Sequence, residues 1–456
     1  MAAPYSQDLR DRVLAAYDPS TANETSASYR QPGEGRPDRA HGIDSGPRDR
    51  FPVGVQAAPG QPDPRTIDRQ LSEAVEVFTS RFGRPPRFGA AAPGRVNLIG
   101  EHTDYNNGFV LPMAIDRWAI VVADLTPASN STLWAIDLDQ TVQCDFASLR
   151  SPVAASFANY LLGVVDQFAK RGNSIPNLDL ALTSTVPIGA GLASSAAIEV
   201  ATATLLAEVV GAKLDPIEKA LLCQRAEHTF PGTPCGIMDM LIATLAQPNH
   251  ALLIDCQSNT AEPVPLPPAD SVTVLIANTN VHHDLAASAY AARRESCRSA
   301  AAKLGLATLR EASATMGISP IFSGRGLTDR ESRCAEHVVC ENERVLSAAA
   351  ALGRGDLETV GGLMFDSHAS LRDLYDVSCP ELDLLVEVAA QMRSDGSVFG
   401  ARMTGGGFGG CAVLFCRADA VTTVSDALAD RFSSRFTRPA TLFTVAAVGA
   451  SGTFTL

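Results

Sequence analysis

Apolar positions change period repeatedly along this chain, and each change marks an expected element. In PRTIDRQLSEAVEVFTSRFG, Leu71, Ala74, Val75 and Phe78 recur at helical spacing and Gly83 supplies a stop. Two apolar stretches broken by glycine and proline follow, RFGAAAPGRVNLIG and FVLPMAIDRWAIVVADL, and both predict strands. TLWAIDLDQTVQCDF predicts a hairpin, FANYLLGVVDQFAKRG a helix closed by glycine, and NLDLALTSTV another strand. A glycine loop then leads into the helix-forming run SSAAIEVATATLLAEVVG, and a further helix is expected from about Pro216. ALLID and SVTVLIANT predict strands, and the pattern from about 285 to 400 is mostly helical. The chain then returns to strand at GCAVLFCR, helix from about 420, and strand at ATLFTVAAV. Strands and helices come in blocks rather than in regular alternation, so the expected fold class is α+β. No internal repeat is visible.

Residues 1–62 break the pattern. STANETSASYRQPGEGRPDRAHGIDSGPRDR is rich in Ser, Gly, Pro, Asp and Arg without apolar period, and this composition predicts a disordered extension. Its first seventeen residues have the makings of one short amphipathic helix. The remaining 394 of the 456 residues suffice for two domains, expected at 63–270 and 271–456. A net charge of −13 argues against a nucleic-acid partner. No apolar run reaches the ~18 residues of a membrane span. The N-terminus lacks a signal-peptide pattern, and the ten cysteines show no framework spacing. Reduced thiols in a cytoplasmic protein, and a monomer, are expected.

Three stretches carry candidate chemistry. The first, PGRVNLIGEHTDYNNGFVLP, crowds Arg95, Asn97, Glu101, His102, Thr103, Asp104, Tyr105 and Asn106 between strand-like runs. The second, VPIGAGLASSAAIEVATA, places Gly189 and Gly191, then Ser194 and Ser195, directly before a helix. Tight turning, free N–H groups and the positive helix end together suit an anion such as a nucleotide phosphate. It lacks both the Gly-Lys-Ser/Thr of a Walker A loop and the Rossmann glycine fingerprint, and an ordinary helix cap would look similar. The third, GARMTGGGFGGCAVLF, holds six glycines in eleven residues before a strand, as expected where backbone passes close to a ligand or another loop. Separately, Cys334, His337 and Cys340 fall at spacing three. That spacing would put them on one helix face, where a packed face is the simpler reading and zinc the alternative.

In this order and at these separations the three stretches resemble the GHMP kinase family, and GRVNLIGEHTDYNNGFVLPMAI is similar to the sugar signature of its galactokinase branch. AEHTFPGTPCGIMD, SAYAARRESC, HVVCENER and SHASLRDLYDVSCPELD extend the resemblance over about residues 66–456. It implies a two-domain GHMP kinase fold with the active site between the domains. It also implies transfer of the ATP γ-phosphoryl to the anomeric hydroxyl of galactose, with Mg²⁺ as cofactor. By the same resemblance Asp239 is the catalytic base and Arg95 its partner. Glu101, His102, Asp104, Gly236 and Tyr290 bind the sugar. Pro187, Gly189, Ala190, Gly191, Leu192, Ser194 and Ser195 hold the ATP phosphates, and Tyr160, with Asn159 beside it, lines the adenine. Ser195 and Glu227 ligate Mg²⁺, whose octahedral oxygen shell suits one hydroxyl, one carboxylate, phosphate oxygens and water. A polyol ligand would explain the polar crowding at 95–106, since carboxylates accept from vicinal hydroxyls and unpaired buried groups penalise the wrong epimer.

The sequence departs from the branch at four places. Ala193 stands where a third serine is usual, Phe157 where tryptophan is usual, and Met240 where glutamine follows the catalytic aspartate; Pro231 is also unusual. Met240, next to the base, is the departure expected to affect rate or sugar preference. Two other readings stay open at this level. One is a kinase for another sugar, such as N-acetylgalactosamine or arabinose. The other is a sugar and ATP sensor without kinase activity, against which the full-length GLASSAA loop and the presence of both Asp239 and Arg95 count.

Overall fold

The structure, a computed structural model, describes residues 67–149, 151–154, 156–281, 286–312 and 326–456. The expectations for the N-terminal extension lie outside these residues. In chain order the elements are α1 (Ile67–Phe82), β1 (Phe88–Asn97), β2 (Phe109–Val110), β3 (Pro112–Leu125), β4 (Ser131–Ala135), β5 (Gln140–Cys144), α2 (Ser156–Lys170), β6 (Leu178–Ser184), α3 (Ser194–Val210), α4 (Pro216–Thr229), α5 (Met238–Leu245), β7 (His250–Asp255), β8 (Thr260–Pro265), β9 (Val272–Asn278), α6 (Ala286–Leu304), α7 (Asp329–Gly353), α8 (Leu357–Asp373), α9 (Pro380–Gln391), β10 (Val398–Thr404), β11 (Cys411–Arg417), α10 (Val421–Arg435), β12 (Thr441–Val445) and β13 (Gly452–Phe454).

The strands form a six-stranded sheet ordered β13-β1-β3-β6-β4-β5, a four-stranded sheet β10-β11-β9-β12, and a small sheet β2-β7-β8. Every pairing is antiparallel except β4 with β6. The α+β expectation therefore holds, and the predicted hairpin is the β4–β5 pair. Three strands escaped prediction, β8, β10 and β13. The three-residue β13 returns from the chain's end to pair with β1, so the sheet of the first half is completed by the last residues.

The sequence explains the local choices. Proline at the first position of α4 needs no N–H partner, and Asp215 caps that helix by accepting from Ile217 and Glu218. Thr328 and Glu331 close a reciprocal capping box at the start of α7. The main apolar core lies between the first sheet and α2–α5, and includes Phe157, Leu161, Val200, Leu222 and Met240. Trp118, Trp134 and Phe78 form a smaller core beneath α1. A third core joins the halves, with Val96, Leu98 and Ile99 from the first packed beside Val345, Val413 and Phe415 from the second. The polar segment 97–106 thus leaves β1 directly above the seam.

Candidate active site

Arg95 and Asp239 meet where β1 passes the start of α5. The guanidinium is bidentate to the carboxylate, Nε to Oδ1 and Nη2 to Oδ2, both at 2.8 Å. Its third nitrogen, Nη1, donates to the carbonyl of Gly191 in the glycine loop. Arg95 is buried, whereas the Asp239 side chain keeps 24% of its surface. One arginine thus fixes the carboxylate against the loop that precedes α3. The main-chain N–H of Arg95 also donates to Leu192 at 3.0 Å.

That loop contains three left-handed residues, Gly189, Gly191 and Ala193, the last at the N-cap of α3 with no side-chain cap. A Cβ on Gly191 would lie 2.9 Å from the Thr404 carbonyl, and one on Gly405 would lie 2.8 Å from the Gly191 Cα. The third glycine-rich stretch is therefore packed backbone to backbone against the second. This close approach requires glycine on both sides, and at positive φ other residues would be strained as well. Pro187 and Gly189 reach solvent, Ala190 and Leu192 are buried, and Ser194 and Ser195 open α3 half-buried.

Asp104 lies against Gly236, where any Cβ would strike its carboxylate. Burial, reinforced by the neighbouring Asp239 charge, pushes the Asp104 carboxyl up to about 6. Tyr290 packs 5.5 Å, centroid to centroid, from both His102 and Tyr105, and burial followed by the Asp104 charge raises its hydroxyl well above the usual range. His102 sits at φ 64 and is 5% exposed. Its Nδ1 shares a 2.8 Å hydrogen bond with the Tyr105 hydroxyl, while its Nε2 is buried without a partner among the described residues. Burial holds the ring down at about 3, so it is neutral near pH 7.

Glu101 has a different environment from the one its sequence neighbours suggest. Oε2 accepts from Asn97 Nδ2 at 2.8 Å and from Arg402 Nη1. Oε1 accepts from the Gly405 N–H at 2.8 Å and the Thr404 hydroxyl at 3.2 Å. Four protein donors thus occupy a carboxylate that is 2% exposed, and a sugar hydroxyl would have to share an oxygen already engaged. The visible work of Glu101 is to tie the polar loop to β10.

Glu227 of α4 is buried and accepts hydrogen bonds from Cys235 and Ser195; burial pushes it up to about 7 despite them. The two residues assigned to the metal are thereby brought together. Glu199, one turn beyond Ser195, is fully buried with neither oxygen partnered among the described residues, and burial with the Glu227 charge raises its carboxyl well above the usual range. Tyr160 on α2 feels the charges of both Glu227 and Glu199, which places it beside this cluster. Asn159 is committed elsewhere, clamping Val153 through a donated and an accepted hydrogen bond of 3.0 and 2.8 Å. Phe157 and Met240 both lie in the apolar core, Met240 with no exposed surface.

The Cys334, His337, Cys340 cluster is not a metal centre. His337 uses both ring nitrogens on protein, Nδ1 with Ser370 at 2.8 Å and Nε2 with the Glu101 carbonyl at 3.1 Å. No group of three or more His, Cys, Asp or Glu is arranged for a metal among the described residues. No helix among them is long and apolar enough to cross a membrane.

Several residues of this site gave no individual signal in the sequence. Arg402, fully buried, spans Glu101, the Asn97 carbonyl (3.0 Å) and Ser367 (3.2 Å). Glu341, also fully buried, accepts from the Gly100 N–H at 2.9 Å and from Ser367 at 2.5 Å. Tyr375 joins Tyr105 hydroxyl to hydroxyl at 2.7 Å.

A phosphate-type loop at a helix start, an arginine–aspartate pair beside it and a polar wall across a two-domain seam define a small-molecule kinase of the GHMP type. The comparisons agree. Residues 159–247 match the GHMP kinases N-terminal domain, residues 348–434 the GHMP kinases C-terminal domain, and residues 76–125 the galactokinase galactose-binding signature. A galactokinase of Canis lupus familiaris is 44% identical over 377 residues, covering 80% of this chain and 93% of the relative. That of Homo sapiens is 44% identical over 358 residues, covering 77% and 89%. The crystal structure of Lactococcus lactis galactokinase complexed with galactose superposes with a TM-score of 0.78 at 30% identity, covering 85% of this chain and all of the other. A mevalonate kinase at 19% identity and a TM-score of 0.58 shares the fold. The chain belongs to the galactokinase family of GHMP kinases.

Proposed function

We propose that this protein phosphorylates galactose at the anomeric hydroxyl, using ATP and releasing ADP. The observation that carries the reading is the Arg95–Asp239 pair, which touches the glycine loop on one side and faces Asp104 and Gly236 on the other. An acceptor hydroxyl and a γ-phosphoryl held on those two sides meet at one carboxylate.

Asp104, Gly236, His102 and Tyr290 form the sugar wall, with Glu101 holding the wall in place. The glycine loop and the first N–H groups of α3 receive the phosphates. Asp239 accepts the proton of the C1 hydroxyl as it attacks, and Arg95 orients that carboxylate and answers charge on the transferring group. Tyr160 lines the adenine. Mg²⁺ fits the site, because Ser195 and Glu227 offer hard oxygen donors and the oxygens of Glu199, unpartnered among the described residues, lie nearby. When bound, the ion supplies charge neutralisation for the phosphates. The same chemistry serves a reducing sugar of any kind, and the contacts of the sugar wall make the choice among them.

Asp239→Asn keeps the shape and removes the base. Turnover should fall about 10²–10⁴-fold, while ATP binding followed by calorimetry stays at the wild-type level. Wild-type turnover in this variant would remove Asp239 from the mechanism.

A further inference from the structure

The sugar-wall histidine stands at the end of a chain of hydroxyl and thiol groups that the mechanism above does not use. His102 Nδ1 bonds the Tyr105 hydroxyl at 2.8 Å, which bonds the Tyr375 hydroxyl at 2.7 Å, which bonds Cys297 Sγ at 3.1 Å. The elements involved are far apart in sequence. Cys297 lies on α6, Tyr375 in the turn between α8 and α9, and Tyr105 in the polar loop. Tyr375 has no solvent exposure, and its ring packs at a tilt against His102 and His337, with centroids 4.6 and 4.5 Å away. Arg293 fixes the Tyr375 backbone by donating Nε to its carbonyl at 2.6 Å. Nε2 has no hydrogen-bond partner among the described residues and is the ring nitrogen of His102 left for a ligand.

Which hydrogen-bonding role Nε2 offers is decided by the direction of that chain. A neutral imidazole carries one proton, so a donor hydrogen bond received at Nδ1 makes Nε2 an N–H. A phenol O–H is a better donor than a neutral imidazole N–H, and the bare imidazole nitrogen is a better acceptor than a phenol oxygen. The favoured direction therefore has the hydroxyl donors pointing toward the ring. Tyr375 O–H donates to Tyr105 and Tyr105 O–H to Nδ1, while Cys297, which also meets Cys334 and Asn106, lies at the far end. The reverse direction would spend the imidazole N–H on a phenol oxygen and leave a buried lone pair at Nε2.

We propose that Tyr375 is a positioning residue that holds His102 as the Nε2–H tautomer, so that the ring donates to one oxygen of the sugar and discriminates against sugars lacking an acceptor there. This rests on the galactose reading. It assigns a direction to one contact of the sugar wall and gives Tyr375 a part in specificity without contact to substrate.

Tyr375→Phe removes one hydroxyl and keeps the ring packing. In the wild type, histidine ¹⁵N spectra should show His102, assigned by its loss in His102→Gln, with the proton on Nε2. In Tyr375→Phe the Nδ1–H form should appear. Galactose binding by calorimetry should weaken about 3–10-fold in Tyr375→Phe, with ATP affinity unchanged. Across mono-deoxy and mono-deoxyfluoro galactoses, one ring position should show a fluoro sugar bound better than its deoxy partner in the wild type. That advantage should vanish in Tyr375→Phe. An Nδ1–H tautomer in the wild type, or a tautomer and sugar profile unmoved by Tyr375→Phe, overturns the proposal. If Tyr375→Phe is unstable, Tyr105→Phe removes the donor at Nδ1 itself, and the Nδ1–H form should again appear. Failure of the wild type to bind galactose would instead refute the galactose reading itself.

Discussion

At the scale of residues, burial does most to set the chemistry. Asp104 is pushed up to about 6 chiefly by desolvation and next by Asp239, so its ionised form exists at a cost. As a sugar acceptor it must be ionised, and galactose KM should therefore rise as pH falls through 6 while ATP KM stays level. Asp104→Asn should raise galactose KM at every pH and flatten that dependence; an unchanged pH profile in the variant would place the titration elsewhere. The stability sign is the opposite one. A folded-state value above the unfolded one favours folding below the unfolded value, and this benefit is lost as pH rises through about 6. Asp104→Asn should thus raise Tm at pH 8, as measured by calorimetry. The polar density of 95–106 was readable as a binding wall because so many donors and acceptors beside strands need an explanation. The commitment of Glu101 was not readable, because its main partner Arg402 lies 301 positions away.

At the scale of elements, the polar loop is held by charges buried in the second half of the chain. Arg402 of β10 and Glu341 of α7 each have no exposed surface, and between them they engage Glu101, Gly100 and Asn97. Removing one member of such a set leaves an uncompensated buried charge. Arg402→Met should cost about 3–5 kcal/mol of stability in denaturant unfolding, where a loss below 1 kcal/mol would show the network to be dispensable. The paired glycine loops make a second prediction. Gly405→Ala sets a Cβ 2.8 Å from the Gly191 Cα at φ 84, so it should raise ATP KM and lower Tm together. A wild-type ATP KM would separate this contact from nucleotide binding. The sequence pattern located both glycine loops and the long helices, whose period persists over many residues. It could not show that the loops pack on each other, which is a tertiary fact. It also missed β8, β10 and the three-residue β13, the last too short to carry a period. His337 and Tyr375 lie within stretches quoted for their family resemblance, yet nothing local distinguishes a histidine spent on Ser370 and the Glu101 carbonyl from a metal ligand.

At the scale of the molecule, the site belongs to both halves at once. The acid–arginine pair, the glycine loop and the polar wall come from the first half. The backing charges, Tyr290, Tyr375 and the second glycine loop come from the other. The last of the described strands then closes the first sheet through β1, and Ser451 N–H donates to the Ala243 carbonyl at 2.8 Å, on the same helix that carries Asp239. The central claim is the transfer of phosphate from ATP to galactose, and the most direct test is ADP release with Mg-ATP against galactose, 2-deoxygalactose, N-acetylgalactosamine, glucose, arabinose and mevalonate, with the product's phosphate position read by NMR. The account predicts turnover selective for galactose and phosphate on C1. Galactose binding without turnover on any sugar, or phosphate on another carbon, would contradict it.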